Sequence, residues 1–474
     1  MANYIADVMS KRLDGKYLVT TISGAWDVLT EPEYKSLITY RAEKDPDLYK
    51  RLEEEGIILT KGNIELVKNR LRQRYSFLCE PIALHIIVVT NRCTQQCVYC
   101  HATPATGRKP GAQDMTRQTA DRTVDFILSS PSKVFSVEFQ GGESLLNLKM
   151  VKYIVKRLEK RKGNKNIIYR MATNLSGMTE ETFDGLMKLG IKAFTSLDGP
   201  KELHNKQRVI SGQSSYDNVV KWMNYAHERF NHKINALPTI TRYSFKYGPK
   251  KIIDEYVKQK IYNIRLREVN LCGLAIPHWE KIGYTPEEFY EFWAEGVDYC
   301  IDLYEKKGVP IKEGAITIIL ERLLSPAGGD YMCYRSPCGA GINQVSYDPS
   351  GNIYFCDASR GFGESFVIGN VKEMTYDDLI AKTKGLRGLS NLNTPCRQCV
   401  WAPYCGTCLL RSSGENEGFI PIKPRDFQCQ LRQKQMEYVI KLLWSEHKQT
   451  LLEWWQSAGN MGKRTGNPEY QAWV

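Results

Sequence analysis

No run of apolar residues in the chain approaches the length of a membrane-spanning helix. The greasiest strip near the start of the central region, Ala83 to Val89, is only strand-sized. Met1 to Lys11 holds no apolar segment of the kind found in a secretory signal, so a cytoplasmic protein without membrane partners is expected. A phosphate-binding Walker loop and an internal repeat are both missing, which sets aside P-loop nucleotide hydrolases and solenoids. A concentrated basic or aromatic stretch is missing too. Lys and Arg number 65 against 53 Asp and Glu, for a net charge of +12, but the two signs are interleaved. That pattern describes solvated faces and argues against nucleic acid as a partner.

What is present is enough apolar material for folding: 42% hydrophobic residues over 474 positions, sufficient for two or three cores. Cysteine is the informative residue. There are 14, and a disulfide framework is a poor account of them in a long chain expected to stay reduced. Eleven fall in tight groups: Cys93, Cys97 and Cys100; Cys333, Cys338 and Cys356; Cys396, Cys399, Cys405 and Cys408; then Cys429. Such spacing converges thiolates on a metal or an iron–sulfur cluster. Cys79, Cys272 and Cys300 stand alone and read as small buried apolar residues.

Periodicity divides the chain. Residues 12–75 read as a small unit: strands at 16–21 and 26–29, then three helices. Thr30 is the expected N-cap of the first helix, with Glu33 at the capping-box position. The order suggests a winged-helix-like module. Residues 83–310 alternate strand and helix. Strands are expected at 84–90, 134–139, 167–173, 193–197, 234–240 and 264–269. Helices are expected at 116–129, 148–160, 180–189, 216–230, 250–258 and from Thr285 to about Glu305. Six β-α units make a partial α/β barrel, a (β/α)6 relative of the TIM fold, with its site at the C-terminal ends of the strands. Residues 330–430 lose periodicity while Cys, Gly and Pro become frequent, as in a domain organised by metal. Residues 431–452 read as one amphipathic helix, the core of a C-terminal segment at 431–456, and the tail from Ser457 lacks a pattern.

The first motif is Cys93-Thr-Gln-Gln-Cys97-Val-Tyr-Cys100, directly after the first barrel strand. Three thiolates at this spacing can wrap one corner of a cubane and leave its fourth iron open to a chelating ligand. His101 could instead complete a zinc site, and the two options stay open on this motif alone. Gln140-Gly141-Gly142-Glu143 follows the second strand, where glycines admit a close backbone approach to a ligand. Thr173-Asn174 ends the third strand. Ser196-Leu-Asp198-Gly-Pro200 ends the fourth, with His204 and Arg208 beyond it.

The cysteine loop resembles the signature of the radical S-adenosylmethionine (SAM) superfamily, and the Gly-Gly-Glu motif stands where that superfamily places it. The resemblance implies that Cys93, Cys97 and Cys100 hold a [4Fe-4S] cluster. It gives Gly141, Gly142 and Glu143 to the SAM ammonium end, Ser196 and Arg208 to its carboxylate, Asn174 to its neighbourhood and Tyr99 to the adenine. Cys338, then Gly351 and Cys356, then Cys396-x2-Cys399-x5-Cys405-x2-Cys408 and Cys429, are similar to a SPASM domain with two auxiliary [4Fe-4S] clusters. The family usually separates its last pair by three residues; here two separate Cys405 from Cys408. By that resemblance Cys338, Cys356 and Cys408, with Cys333, hold the first auxiliary cluster. Cys396, Cys399, Cys405 and Cys429 hold the second. A zinc ribbon through Cys396 to Cys408 is the alternative.

The stretches 84–90, 139–143, 196–200 and 336–341 are similar to radical SAM/SPASM maturases of His-Xaa-Ser peptide systems. That likeness implies a ribosomally made precursor peptide as partner, its leader bound by the 12–75 module. It also implies a 5′-deoxyadenosyl radical as hydrogen abstractor and a carbon–aryl (cyclophane) or thioether cross-link as product. Asp357 stands next to Cys356, as does an aspartate base in sulfatase-maturing relatives; a surface turn residue is the alternative. A flavodoxin or ferredoxin would be the reductant. Formylglycine formation in a sulfatase, or an iron–sulfur carrier or scaffold without catalysis, are the rival readings.

Overall fold

The computed structural model describes residues 4–102, 105–106, 113–329, 331–386, 394–406, 408, 410–411 and 426–463. Strands β1 (Val8–Leu13), β2 (Lys16–Thr21) and β3 (Trp26–Leu29) form an antiparallel sheet. Strand β1 carries this unit back to residue 8, beyond the expected start at 12. Its signal was Asp14-Gly15, whose φ values of 46° and 81° make a two-residue hairpin turn. Helices α1 (Glu31–Ile38), α2 (Pro46–Glu55) and α3 (Ile64–Tyr75) follow. The capping box forms as read: the Glu33 carboxylate accepts from Thr30 N at 2.7 Å and Glu33 N donates to Thr30 Oγ1 at 3.4 Å. Leu29, Leu37, Leu48, Leu52 and Ile57 give the module a small core of its own.

The barrel runs β4 (Leu84–Thr90), α4 (Arg117–Ser129), β5 (Val134–Gly141), α5 (Leu148–Arg161), β6 (Asn166–Ala172), α6 (Glu180–Lys188), β7 (Ile191–Ser196), α7 (Ser215–Phe230), β8 (Asn235–Leu237) and α8 (Gly248–Lys258). The five strands pair in parallel in the order β8-β7-β6-β5-β4. Every residue of β4 is buried, as a strand covered on both faces requires.

Two expected strands are broken. The fifth splits into 235–237 and 239–240 around Pro238, which has no N–H for the ladder. The sixth splits into 263–264 and 267–268, because Leu266 N donates to the Glu313 carboxylate at 3.1 Å instead of to a strand. The fragments still close the curve as short parallel pairs, 239–240 with 267–268 and 263–264 with 312–313.

Helices α9 (Pro286–Lys307) and α10 (Gly314–Leu324) lead into strands β9 (Gln344–Tyr347), β10 (Asn352–Tyr354) and β11 (Val367–Asn370). These join the barrel sheet: β9 pairs in parallel with β4, and β10 and β11 continue antiparallel. The cysteine-rich region therefore extends the barrel sheet. The single helix expected over 431–452 is two, α11 (Phe427–Leu443) and α12 (Lys448–Lys463). The break falls at Ser445, whose Oγ accepts from His447 N at 3.2 Å and turns the chain. Cys272 and Cys300 are buried as expected, whereas Cys79 is exposed. Among the described residues no helix is long and apolar enough to cross a membrane.

His85 on β4 and Tyr347 on β9 join across this seam, Nδ1 to hydroxyl at 2.8 Å, both fully buried. Burial holds the imidazole neutral, its pKa down to about 3. A free histidine titrates near 6.5, so the unfolded chain binds the extra proton first as pH falls between those values. Stability is therefore present above about pH 6.5 and drains away toward pH 3. Urea unfolding at pH 6 and pH 5 should show His85→Gln losing about 1 kcal/mol less over that interval than the native chain.

Candidate active site

A cavity of about 540 Å³ opens at the C-terminal ends of the barrel strands. The cysteine loop leaves β4 through Arg92. That guanidinium donates to Asp114 at 2.9 Å and to the Leu146 carbonyl at 2.9 Å, fixing the entry angle. Two backbone bonds tie the loop to the end of β5: Gly142 N to Thr90 O (2.9 Å) and Glu143 N to Arg92 O (2.7 Å). A Cβ on Gly142 would lie 2.0 Å from the Arg92 carbonyl oxygen, and one on Gly141 would lie 2.7 Å from that of Thr90. The glycines thus admit the cysteine loop's own backbone while both line the cavity.

Glu143 follows, almost fully buried. Its carboxylate accepts from Thr173 Oγ1 (2.7 Å), Asn174 N (2.7 Å) and Leu145 N (3.0 Å). Burial outweighs these donors and pushes its pKa up to about 7, so a cationic guest would hold it ionised. Asn174 reaches back to the loop, Nδ2 lying 3.2 Å from Thr94 Oγ1 and 3.7 Å from Cys93 Sγ. Cys93, Cys97, Cys100, Ser196 and Arg208 share the cavity wall with Gly141, Gly142, Glu143 and Asn174.

Tyr99 does not line it. It packs in the main core and its hydroxyl donates to Asp198. Asp198, passed over as a site residue, is the organising acid on this side. It is fully buried, and its carboxylate accepts from Arg208 Nε (3.0 Å), Thr239 N (3.0 Å) and Tyr99. Burial opposes its ionisation, yet Arg208 and the other donors hold its carboxyl below the usual range. Arg208 so held brings Nη1 to 3.9 Å from Cys97 Sγ. The Ser196-Leu-Asp198-Gly motif at a strand end was the available signal.

Cys333, Cys338, Cys356 and Cys408 line the same cavity as the first loop. They are mutual neighbours: Cys333 and Cys338 share a hydrogen bond, and Cys356 and Cys408 act electrostatically on each other and on Cys333. Cys396, Cys399, Cys405 and Cys429 lie off the cavity. Among them Cys399 and Cys429 are electrostatic neighbours, with Cys429 in the first turn of α11.

Burial pushes Cys93 up to about 12 and Cys356 well up, so these thiols need a cation nearby to act as thiolates. Among the described residues no three His, Cys, Asp or Glu side chains are drawn together as one metal ion requires. Cysteines ringing a cavity suit a polynuclear cluster, where each thiolate meets a different iron. His101 faces Asp357, Nε2 to Oδ2 at 3.8 Å, and burial first of all takes its pKa down to about 4. Asp357 lines the cavity beside Cys356. Sequence reasoning also missed Glu138, Arg265, Arg267, Glu268 and Arg432 in the wall. No motif marks them: Glu138 sits on β5, while the broken sixth strand and the distant α11 bring in the others.

Residues 87–243 match the Radical SAM superfamily. The chain is 28% identical over 37% of its length to the uncharacterized protein MJ0907 of Methanocaldococcus jannaschii, spanning 57% of that protein. It is 22% identical to the radical SAM cyclopropyl synthase TigE of Paramaledivibacter caminithermalis, over 76% of this chain and 75% of TigE. It is 23% identical to the cysteine-type anaerobic sulfatase-maturating enzyme of Clostridium perfringens, over 77% of this chain and 97% of that enzyme. In fold it is similar to native anSMEcpe with bound AdoMet and Cp18Cys peptide, with a TM-score of 0.64, 20% identity, and 77% and 98% of the two chains covered. It is also similar to Streptococcus suis SuiB bound to precursor peptide SuiA, with a TM-score of 0.53, 15% identity, and 90% and 100% covered.

The glycine contact is testable. Gly142→Ala should cost about 1–3 kcal/mol or more, because a backbone carbonyl cannot step aside, and should lower iron content after anaerobic reconstitution. Gly185→Ala on α6, where the nearest atom is 3.8 Å away, should gain up to about 1 kcal/mol. Denaturant melts and iron assays of both variants check the pair.

Proposed function

We propose that this radical SAM enzyme modifies a ribosomally made precursor peptide inside the cavity that its first and second cysteine sets share. The observation that carries the reading is that shared wall: Cys93, Cys97 and Cys100 on one part, Cys333, Cys338, Cys356 and Cys408 on another, around about 540 Å³. A space of that size receives a side chain or two of an extended peptide. A pure electron carrier has no use for such a chamber.

Three [4Fe-4S] clusters would be held by Cys93/Cys97/Cys100, by Cys333/Cys338/Cys356/Cys408 and by Cys396/Cys399/Cys405/Cys429. When bound, the first cluster and SAM together supply a 5′-deoxyadenosyl radical that abstracts hydrogen from carbon. The protein's own residues then position and protect. Glu143 receives the SAM ammonium by a charge-assisted contact. Ser196 and Arg208 take its carboxylate, with Arg208 kept in place by Asp198. Asn174 closes the ring against Thr94. Asp357, beside His101, accepts the proton released as the new bond forms, and the electron released with it would go to the auxiliary cluster that Cys333, Cys338, Cys356 and Cys408 would hold. The module at the N-terminus offers β-strand edges on which a leader can add. It docks firmly: Thr20 Oγ1 donates to Val400 O (2.8 Å) and Trp26 Nε1 to Leu323 O (3.1 Å).

The product we propose is a carbon–aryl or thioether cross-link, within the His-Xaa-Ser group of maturases and with flavodoxin or ferredoxin as reductant. A second reading, formylglycine formation, is favoured by the similarity to the Clostridium perfringens sulfatase-maturating enzyme over 97% of its length.

Anaerobic incubation with SAM, dithionite and the precursor peptide from a neighbouring reading frame separates the two. A cross-link yields 5′-deoxyadenosine and a peptide lighter by two hydrogens; formylglycine yields an aldehyde that reacts with hydrazide. An unchanged peptide defeats both. Cys97→Ala should abolish 5′-deoxyadenosine, and Glu143→Gln should weaken SAM binding about tenfold by equilibrium dialysis.

A further inference from the structure

We infer that the peptide segment undergoing modification presents a side-chain carboxylate, Asp or Glu, to the guanidinium groups that Arg267 and Arg432 contribute to the cavity wall. The inference rests on the peptide reading above and names one feature of that substrate. Both arginines line the cavity, from parts of the chain far apart in sequence. Arg267 lies at the end of the broken sixth strand, its Nη2 donating to Thr239 Oγ1 at 3.2 Å. Arg432 projects from α11, one turn after Gln428, and its guanidinium stacks on Tyr334 at 3.1 Å from the ring centroid. It is 2% exposed, and its Nη1 is buried without a hydrogen-bond partner.

Neighbouring charges are already engaged. Arg265 bonds the Tyr331 hydroxyl and lies over that ring. Glu268 pairs with Arg411 at 3.6 Å and also feels Arg265 and Arg432, one carboxylate shared among three guanidinium groups. Arg208 belongs to Asp198, and Glu138 accepts from Gln140. Among the described residues no carboxylate lies within 4.0 Å of Arg267 or Arg432. A guanidinium withdrawn from water without an anion is costly, and it recovers that cost when a carboxylate arrives. Its planar fork suits a carboxylate in particular.

Two other anions compete for these groups: the SAM carboxylate, and the thiolate-bound cluster at Cys333. Arg265 and Arg432 both act on Cys333, whereas the groups that feel Arg267 are His101, Tyr256 and Tyr331. Measurements on Arg267 therefore separate substrate recognition from cluster chemistry.

The test uses the reconstituted full-length enzyme with SAM and an immobilised pool in which random decapeptides follow the leader of the neighbouring precursor peptide, sequenced after anaerobic capture. Native enzyme should enrich Asp and Glu over Asn and Gln about tenfold, the preference of one charge-assisted pair. Arg267→Met and Arg432→Met should each remove that preference, and Arg267→Lys should keep part of it. SAM affinity and the cluster midpoint potentials should stay unchanged in Arg267→Met. A pool without acidic preference, or a preference that survives in both Met variants, overturns the inference. A change confined to SAM affinity or to midpoint potential also overturns it. If no peptide is retained at all, the peptide reading falls with it, whereas acidic and amide peptides bound equally sink the carboxylate site alone.

Discussion

Strand β4 hydrogen-bonds to β5 along one edge and to β9 along the other, and that double pairing brings two cysteine sets to one chamber. The first cysteine loop leaves the C-terminal end of β4. The β9–β10 hairpin delivers Cys356 next to it, with Ser346 Oγ donating to the Cys356 carbonyl at 2.9 Å. Parallel pairing in the middle of a sheet leaves little freedom of register, since a slip of one residue would exchange the side chains that β4 packs on its two buried faces. The distance between the cysteine sets is therefore set by a backbone ladder, which is stiffer than a loop contact.

Around that seam, polar groups are held in dry surroundings by short, local bonds. Asp198 collects Arg208, Tyr99 and the Thr239 amide; Glu143 collects Thr173, Asn174 and Leu145. Each buried acid is oriented before any ligand arrives, as preorganised electrostatics requires. The wall formed by the broken sixth strand and α11 differs, since its guanidinium groups outnumber the carboxylates available to them.

The N-terminal module and the loop at 396–405 form a second seam. Arg74 donates to Pro403 O at 2.9 Å and to Arg322 O at 3.2 Å, and the Tyr404 hydroxyl to Gly24 O at 3.2 Å. The N-terminal module therefore rests directly on the loop that carries Cys399 and Cys405.

Local patterns were enough for much of this. The run at 84–90, the capping box at Thr30 and Glu33, and the alternation of strands and helices depend on near neighbours, so they read straight from the chain. The cysteine spacings named their groups for the same reason: ligands on one loop converge because the loop is short. Residues whose meaning depends on remote partners were illegible. Asp14-Gly15 was overlooked because the strand before it is charged. The turn of Tyr99 toward Asp198, the splitting of the sixth strand by Glu313 and the break at Ser445 each come from a single competing hydrogen bond. The sequence by itself determined which chemistry the cysteine loops could support, because spacing along a chain limits what a loop can grip. Only the tertiary structure decided that Cys356, Arg267 and Arg432 face the same space, because strand pairing and helix packing join segments that share no local pattern.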